Sequence, residues 1–356
     1  MEIVCLGSMT IFLIITMPLT DNRLTEFALC REMLEVPELI ARFDFNVAAK
    51  EAKLVRQAGR LFLTGEGSSR IFPAKSFIDA LRRSGSTVAV ATEGSIQAME
   101  YDLAPSVVFG ASNSGQTKEL VMLFTQLAEQ GHPHRFAVTA NAGTAIEKLA
   151  TKTFVLGCGK EKAVAATKSV VEQALVYRSL LNGLGEGGFD YHGRREEAGR
   201  MARQVLEMTI ESALIEKLAA APMIYYAARN NGVAEELTLK TNEIMRRKSV
   251  FLEGTYLLHG VEEIMNPDEV VVLIDPFPSE LAIIKKNLAD TIGMTVIAIA
   301  REETPLPTIR IPSLGDYDTF LQLLAGWSLL AHTGVALGID LDKPRRARKI
   351  GNVCEE

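Results

Sequence analysis

Residues 109–120, FGASNSGQTKEL, leave the apolar run PSVVFG and pass directly into a segment with helical periodicity. Ser112, Ser114 and Thr117 thus crowd one helix start, where unpaired backbone N–H groups and the helix dipole favour an anion. Gly115 permits a close turn there. The loop contains no lysine and no G-K-[ST], so it is not a nucleoside-triphosphate loop, and a single phosphate monoester fits it better. A plain N-cap, with Ser114 or Thr117 closing the helix and no ligand, accounts for the same residues. This stretch alone does not separate the two readings. A second segment, LTGEGSS (63–69), also runs from a strand through Gly-x-Gly into two serines, Ser68 and Ser69. On one parallel sheet, both loops would meet at the carboxyl edge, where ligands of such sheets bind.

The elements that must position these loops alternate. RLFLTGEG reads as strand, SSRIFPAKSFIDALRRSG as helix, and TVAVATEG as strand. PSVVFGASNSG is strand plus loop, QTKELVMLFTQLAEQG helix, and HRFAVTA and KTFVLGCG strands. Such alternation specifies an α/β chain with a parallel sheet between helices. A helical pattern carrying Phe27, Leu29, Met33 and Leu34 precedes it, from Asp21 to about Gln57. The polar, glycine-rich stretch 181–197 reads as a boundary. Beyond it APMIYYAARN, EVVVLIDPF, TVIAIA and TIRIPS read as strands, with helices in GVAEELTLKTNEIMRRK and SELAIIKKNLADTIG. The halves look duplicated, but DPFPSE stands in the second where SNSGQT stands in the first. One copy is therefore expected to bind and the other to support it.

Composition narrows the partners. At 356 residues the chain suits two domains, and 47% hydrophobic with 23% charged residues is ordinary for a globular protein. A net charge of −6 argues against nucleic acid or an acidic membrane surface. Cys5, Cys30, Cys158 and Cys354 lie far apart without a CxxC pair, which favours free thiols in a reducing compartment. The apolar segment 3–19 lacks the basic region and cleavage site of a signal peptide and is short for a membrane span. It is expected to be an added or misassigned start, with the protein proper beginning near Met17 and residing in the cytoplasm.

GEGSS, SNSGQT and EKAVAATKS (161–169), in this order and spacing, resemble the sugar isomerase (SIS) domain family. The tandem branch containing the isomerase half of glucosamine-6-phosphate synthase and the hexosamine-6-phosphate deaminases is the most similar. The resemblance runs from about residue 25 to the C-terminus. It implies two tandem flavodoxin-like three-layer α/β/α domains with parallel sheets, preceded by an N-terminal helix. The expected division is a leader (1–20), a helical segment (21–57), a phosphosugar-binding domain (58–185), a catalytic domain (205–345) and a closing tail (346–356). It further implies phosphate bound by Ser112, Asn113, Ser114 and Thr117. Ser68, Ser69, Val164 and Ala165 would contact the sugar.

Moving a proton between C1 and C2 of a sugar needs a general base, an acid/base for ring opening and nearby positive charge. Of five histidines, His132 and His134 flank a turn proline, His192 falls in the boundary stretch, and His332 in an apolar helix reads as core. His259, in TYLLHGVEE, lies in an irregular glycine-containing segment, as ligand-facing histidines often do. Glu236, Lys240 and Glu243 share one helix face, a spacing that also describes a solvated Glu–Lys ladder. The resemblance assigns proton transfer to Glu243, ring opening to His259, and electrostatic support to Lys240 and to Lys349 of the tail. In relatives the histidine comes from a neighbouring subunit, so a homodimer is implied. His259-Gly260-Val261 departs from the usual His-Gly-Pro and is followed by Glu262-Glu263, which puts the sugar's C1 side or amino substituent in doubt.

About sixty residues precede the first strand, too few for an amidotransferase domain, so the chain on its own is expected not to use glutamine. Conversion of glucosamine 6-phosphate to fructose 6-phosphate and ammonia is the favoured activity, with no metal or organic cofactor. A fructosamine-6-phosphate deglycase, a simple phosphosugar isomerase and a non-catalytic sugar-phosphate sensor are the alternatives.

Overall fold

A computed structural model describes residues 17–347 apart from 186 and 189, together with residues 5–6 and 9–10. Two compact units emerge. One comprises Glu35–Lys162 with Ala166–Gly199; the other comprises Arg200–Arg346 with Ala163–Ala165 and the N-terminal residues through Leu34.

In the first unit, strands β1 (Arg60–Gly65), β2 (Ala89–Glu93), β3 (Val107–Ser112), β4 (Arg135–Thr139) and β5 (Lys152–Val155) form one sheet in the order β2-β1-β3-β4-β5. Every pairing is parallel. β3 is buried throughout, which is why VVFGAS reads as an unbroken apolar run instead of an alternation. Helices Ala49–Ala58 (α1), Ile71–Arg83 (α2), Lys118–Glu129 (α3) and Lys168–Leu184 (α4) belong to this unit. α4 is buried on nearly all sides, Glu172, Gln173 and Arg178 included.

The second unit repeats the pattern. Strands β6 (Met223–Ala228), β7 (Lys248–Glu253), β8 (Val270–Ile274), β9 (Thr295–Ala300) and β10 (Thr308–Arg310) are ordered β7-β6-β8-β9-β10, again all parallel. Strand order by position is therefore 2-1-3-4-5 in both units, the flavodoxin-like arrangement. Helix α5 (Tyr191–Glu207) leads out of the first unit, and Val233–Lys240 (α6) and Asp318–Ala336 (α7) belong to the second. α7 buries Phe320 through Gly334 continuously, including Trp327 and His332.

Several local expectations need correction. His192 lies in the first turn of α5, because helices occupy both ends of the 181–197 stretch and leave only 185–190 between them. The segment 233–248 is not one α-helix. It is α-helical to Lys240, π-helical over Thr241–Met245, and already strand by Lys248. Residues 281–292 likewise pass from α-helix to a π-helix at Lys285–Ile292. His332 is core, as its apolar setting predicts, and is 4% exposed. No described helix is long and apolar enough to cross a membrane. The apolar leader lies mostly outside the described residues.

Candidate active site

β1 and β3 are neighbours, with Thr64 opposite Gly110 and Gly65 opposite Ala111. Their carboxyl ends flank the point where the strand order reverses, the position at which open α/β sheets bind ligands. The approach is close: a Cβ on Gly65 would stand 2.6 Å from the Ala111 carbonyl oxygen. From that edge β1 continues into a 3₁₀ turn, Gly67–Ser69, which carries Ser68 and Ser69 ahead of α2. Both serines are half-buried.

The β3 loop is built around Ser112, which is 2% exposed. Its hydroxyl lies 2.8 Å from Thr117 Oγ1 and 3.4 Å from Ser114 Oγ, and accepts from the Gly115 N–H at 3.0 Å. Thr117 occupies the N-cap position of α3, yet its side chain makes no capping bond. Ser114 Oγ accepts from Gln116 N, ahead of the helix. The plain-cap account of this loop therefore fails on geometry: the hydroxyls bond one another instead of closing α3. Gly115 holds φ +66°, and a Cβ there would stand 2.4 Å from Thr144 Oγ1.

Asn113 behaves differently from the hydroxyls. Its Nδ2 donates to Glu161 Oε2 and, at 2.6 Å, to Ser169 Oγ. Its carbonyl oxygen accepts from Asn141 Nδ2 at 2.8 Å and from Thr139 Oγ1 at 3.2 Å. The side-chain amide is thus committed inside the protein, which leaves its backbone N–H as the group able to meet an anion. Glu161, Ser169 and Gln173 are polar residues of this region that sequence reasoning did not single out. Gln173 is fully buried on α4, and its Nε2 donates to Ser69 Oγ at 3.3 Å. The motif EKAVAATKS contained the signal for Glu161 and Ser169, but nothing in it says which neighbours they hold. Val164 is half-buried and Ala165 buried, and both are grouped with the second unit.

In the second unit, Glu236 and Lys240 are fully buried, so this helix face is no solvated ladder. Lys240 Nζ lies 2.8 Å from Glu243 Oε2 and 3.3 Å from Glu236 Oε1. Burial works against the charge on Lys240, but the two carboxylates outweigh it and raise the ammonium above its ordinary range. Glu243 sits in the π turn with its side chain 27% exposed, the most open of the three. π turns inside helices recur at functional positions. Arg246 ends that turn at φ +54°, and its Nη2 donates to the carbonyls of Asp340 and Lys343. Such a left-handed, non-glycine residue is sustained only where surrounding bonds fix it.

His259 follows the 3₁₀ turn Tyr256–Leu258 and is exposed, with Nε2 3.4 Å from Thr255 Oγ1. Beyond it the Gly260 N–H donates to Glu262 Oε2 at 2.8 Å. Lys349 lies outside the described residues. Two other histidines are held in the fold: His132 Nε2 bonds the Leu103 carbonyl at 3.0 Å, and His332 lies between the carbonyls of Ser328 (2.6 Å) and Met17 (2.8 Å). Among the described residues no cluster of three or more His, Cys, Asp or Glu is arranged to hold a metal ion.

Comparison with known proteins bears on this arrangement. Residues 54–183 match the family model described as SIS domain. The chain is 24% identical over 355 residues to the glutamine–fructose-6-phosphate aminotransferase (isomerizing) of Lactococcus lactis, covering 91% of this chain and 58% of that protein. It is 25% identical over 325 residues to the Streptococcus agalactiae protein of the same name, with coverages of 86% and 54%. The chain thus spans somewhat over half the length of these curated relatives. Among solved structures, the C-terminal domain of glucosamine-fructose-6-phosphate aminotransferase from Francisella tularensis superposes with a TM-score of 0.75 at 16% identity, over 90% of this chain and 98% of that one. Glucosamine-6-phosphate deaminase from Thermotoga maritima superposes with a TM-score of 0.73 at 18% identity, over 94% and 100%. At such identities the superpositions establish the fold.

Proposed function

We propose that this chain, whose residues 54–183 form a SIS domain, is a phosphosugar isomerase-deaminase that converts glucosamine 6-phosphate to fructose 6-phosphate and ammonia. The observation that carries the reading is the Ser112–Ser114–Thr117 hydroxyl cluster at the β1/β3 edge, in which Thr117 stands at the N-cap position of α3 without a side-chain capping bond. Hydroxyl donors beside free helix N–H groups suit the three terminal oxygens of a phosphate monoester. Ser68 and Ser69, with Val164 and Ala165, are assigned to the sugar.

Glu243 is the proposed proton shuttle. It takes the C2 proton of the open-chain aldose and returns it to C1, which turns the 2-amino aldose into a 2-imino ketose. Water then adds at C2, and ammonia leaves. His259 is assigned the ring-opening proton transfers. Lys240 and Lys349 supply positive charge toward the oxygen that becomes negative in the transition state. The supporting feature is Lys240, buried against Glu243 in a π turn. A homodimer is part of this proposal, after the resemblance to relatives that share the histidine.

Glu262 and Glu263 beside His259 favour one second reading, a deglycase whose substrate carries a cationic amine. Ammonia and amine release from glucosamine 6-phosphate, galactosamine 6-phosphate and fructoselysine 6-phosphate separates the two. Glu243→Gln should abolish turnover while leaving phosphosugar binding intact. A variant near wild-type rate would remove Glu243 from the mechanism. Ser114→Ala should weaken binding by about tenfold or more, the contribution of one hydrogen bond to a charged group.

A further inference from the structure

We propose that Glu161 is a positioning residue that braces the phosphate loop through Asn113; the inference rests on the reading of residues 112–117 as that loop. Glu161 is 2% exposed and meets four donors. Its Oε1 accepts the backbone N–H of Thr167 at 2.8 Å and of Ser169 at 3.2 Å. Its Oε2 accepts from Ser169 Oγ at 2.8 Å and from the Asn113 amide. Asn113 in turn donates its other amide hydrogen to Ser169 Oγ at 2.6 Å.

Two consequences follow from hydrogen-bond chemistry. Each of these four partners is a donor, so an acceptor-only carboxylate matches them and an amide does not, because a glutamine would turn N–H groups onto N–H or O–H groups. The same carboxylate caps the start of α4 and holds the β3 loop, so the two segments move as one body. Glu161 touches no substrate in this account. It fixes Asn113, the residue between the hydroxyls of Ser112 and Ser114, and thereby the spacing of those donors. The EKAVAATKS element thus acts at a distance on phosphate affinity.

The test uses the full chain, with amide hydrogen exchange and calorimetric binding of glucosamine 6-phosphate. In Glu161→Gln, exchange should quicken by about tenfold in peptides spanning 109–121 and 161–170 and stay unchanged over 223–228. Phosphosugar affinity should fall about tenfold, the scale of losing hydrogen bonds to a buried charge. Asn113→Ala should loosen 109–121 alone, and the double variant should bind no more weakly than Glu161→Gln. That non-additivity is the signature of action through Asn113; a carboxylate that merely caps α4 would give additive losses. Unchanged exchange over 109–121, or additive losses, overturns the proposal. If Glu161→Gln does not fold, Ser169→Ala replaces it in the cycle, since it cuts the same link and leaves the cap in place. A wild-type chain that binds no phosphosugar would refute the proposed function, while the exchange results would still decide the role of Glu161.

Discussion

Replacing Lys240 by methionine tests the electrostatic unit of the second domain most directly. Lys240 and Glu236 are fully buried and Glu243 is 27% exposed, with the ammonium 3.3 Å and 2.8 Å from the two carboxylates. Removing one partner of a buried pair strands the other, at about 3–5 kcal/mol. Nearly all of that falls on Glu236, because water can reach Glu243. Lys240→Met should therefore lose about 3–5 kcal/mol at pH 7, a large part of the roughly 5–15 kcal/mol that holds a typical domain together. Adding Glu236→Gln should restore more than half, since the stranded charge is gone.

The pH dependence has a definite sign. In the native protein Lys240 has a raised pKa, so its contribution is complete below the unfolded value of about 10.4 and fades only as pH rises through the folded one. Between pH 5 and 8 it is constant. Trp327 is the single tryptophan and is fully buried in α7 of the same unit, so its fluorescence reports this unit's unfolding in urea. A loss below about 1 kcal/mol, or a double variant no more stable than Lys240→Met, would refute the buried-triad argument, since a solvent-screened pair costs no more than that.

Gly115→Ala should cost at least about 2 kcal/mol, because a side chain at φ +66° is strained and its Cβ would overlap Thr144; circular dichroism in urea measures it, and no loss would mean that the loop rearranges freely. Gln173→Leu should weaken glucosamine 6-phosphate binding a few-fold while inorganic phosphate affinity stays constant, because it frees the Ser69 hydroxyl from the Gln173 amide; equal losses for both ligands would place Gln173 in the phosphate site instead. Burial pushes the Cys30 thiol up to about 12 and Cys158 further the same way, so iodoacetamide at pH 8 should alkylate neither in the native protein and both in urea. Peptide mass mapping reads that result, and native labelling at either site would contradict the buried assignments.

The central parallel strands were legible because strands buried on both faces leave unbroken apolar runs, as in VVFGAS and VVVLI. β7 was not: KSVFLE lies at the sheet edge, is mostly part-exposed, and follows so closely on a helical pattern that no turn residue announces it. The long helix α4 was equally hard to see, since burial on almost every side removes the amphipathic period that marks a surface helix. The π turns were hidden too, because a one-residue widening leaves the hydrophobic spacing nearly intact. At the site, hydroxyl type and spacing left the β3 loop open between an anion site and a plain cap, and the family resemblance, not the Glu–Lys–Glu spacing, singled out Lys240 and Glu243. Neither could say that Asn113 faces inward or that Glu236 is sealed, because both facts depend on which distant segment covers them. The role of Glu161 was missed for the same reason: its partners Asn113 and Thr167 lie on opposite sides of it in sequence, and only packing brings them together.

The two units share a strand order but finish the corresponding edge in opposite ways. In the first, β3 ends in the hydroxyls of Ser112, Ser114 and Thr117, which lie within hydrogen-bond reach of one another. In the second, β8 is followed by Asp275, a non-glycine residue at φ +46°, whose carbonyl and carboxylate both accept from Arg229 Nη1. The Arg229 guanidinium also lies 4.3 Å from the centre of the Phe277 ring. The charge that could have met a phosphate is already spent on a carboxylate and an aromatic face of the same loop. A phosphate approaching Arg229 would have to displace Asp275, whose carboxylate is tethered beside it at high effective concentration. Under the proposed function the first edge takes the anion, while the second is internally neutralised by Asp275 and Phe277. The sequence difference between SNSGQT and DPFPSE is the chemical form of that division.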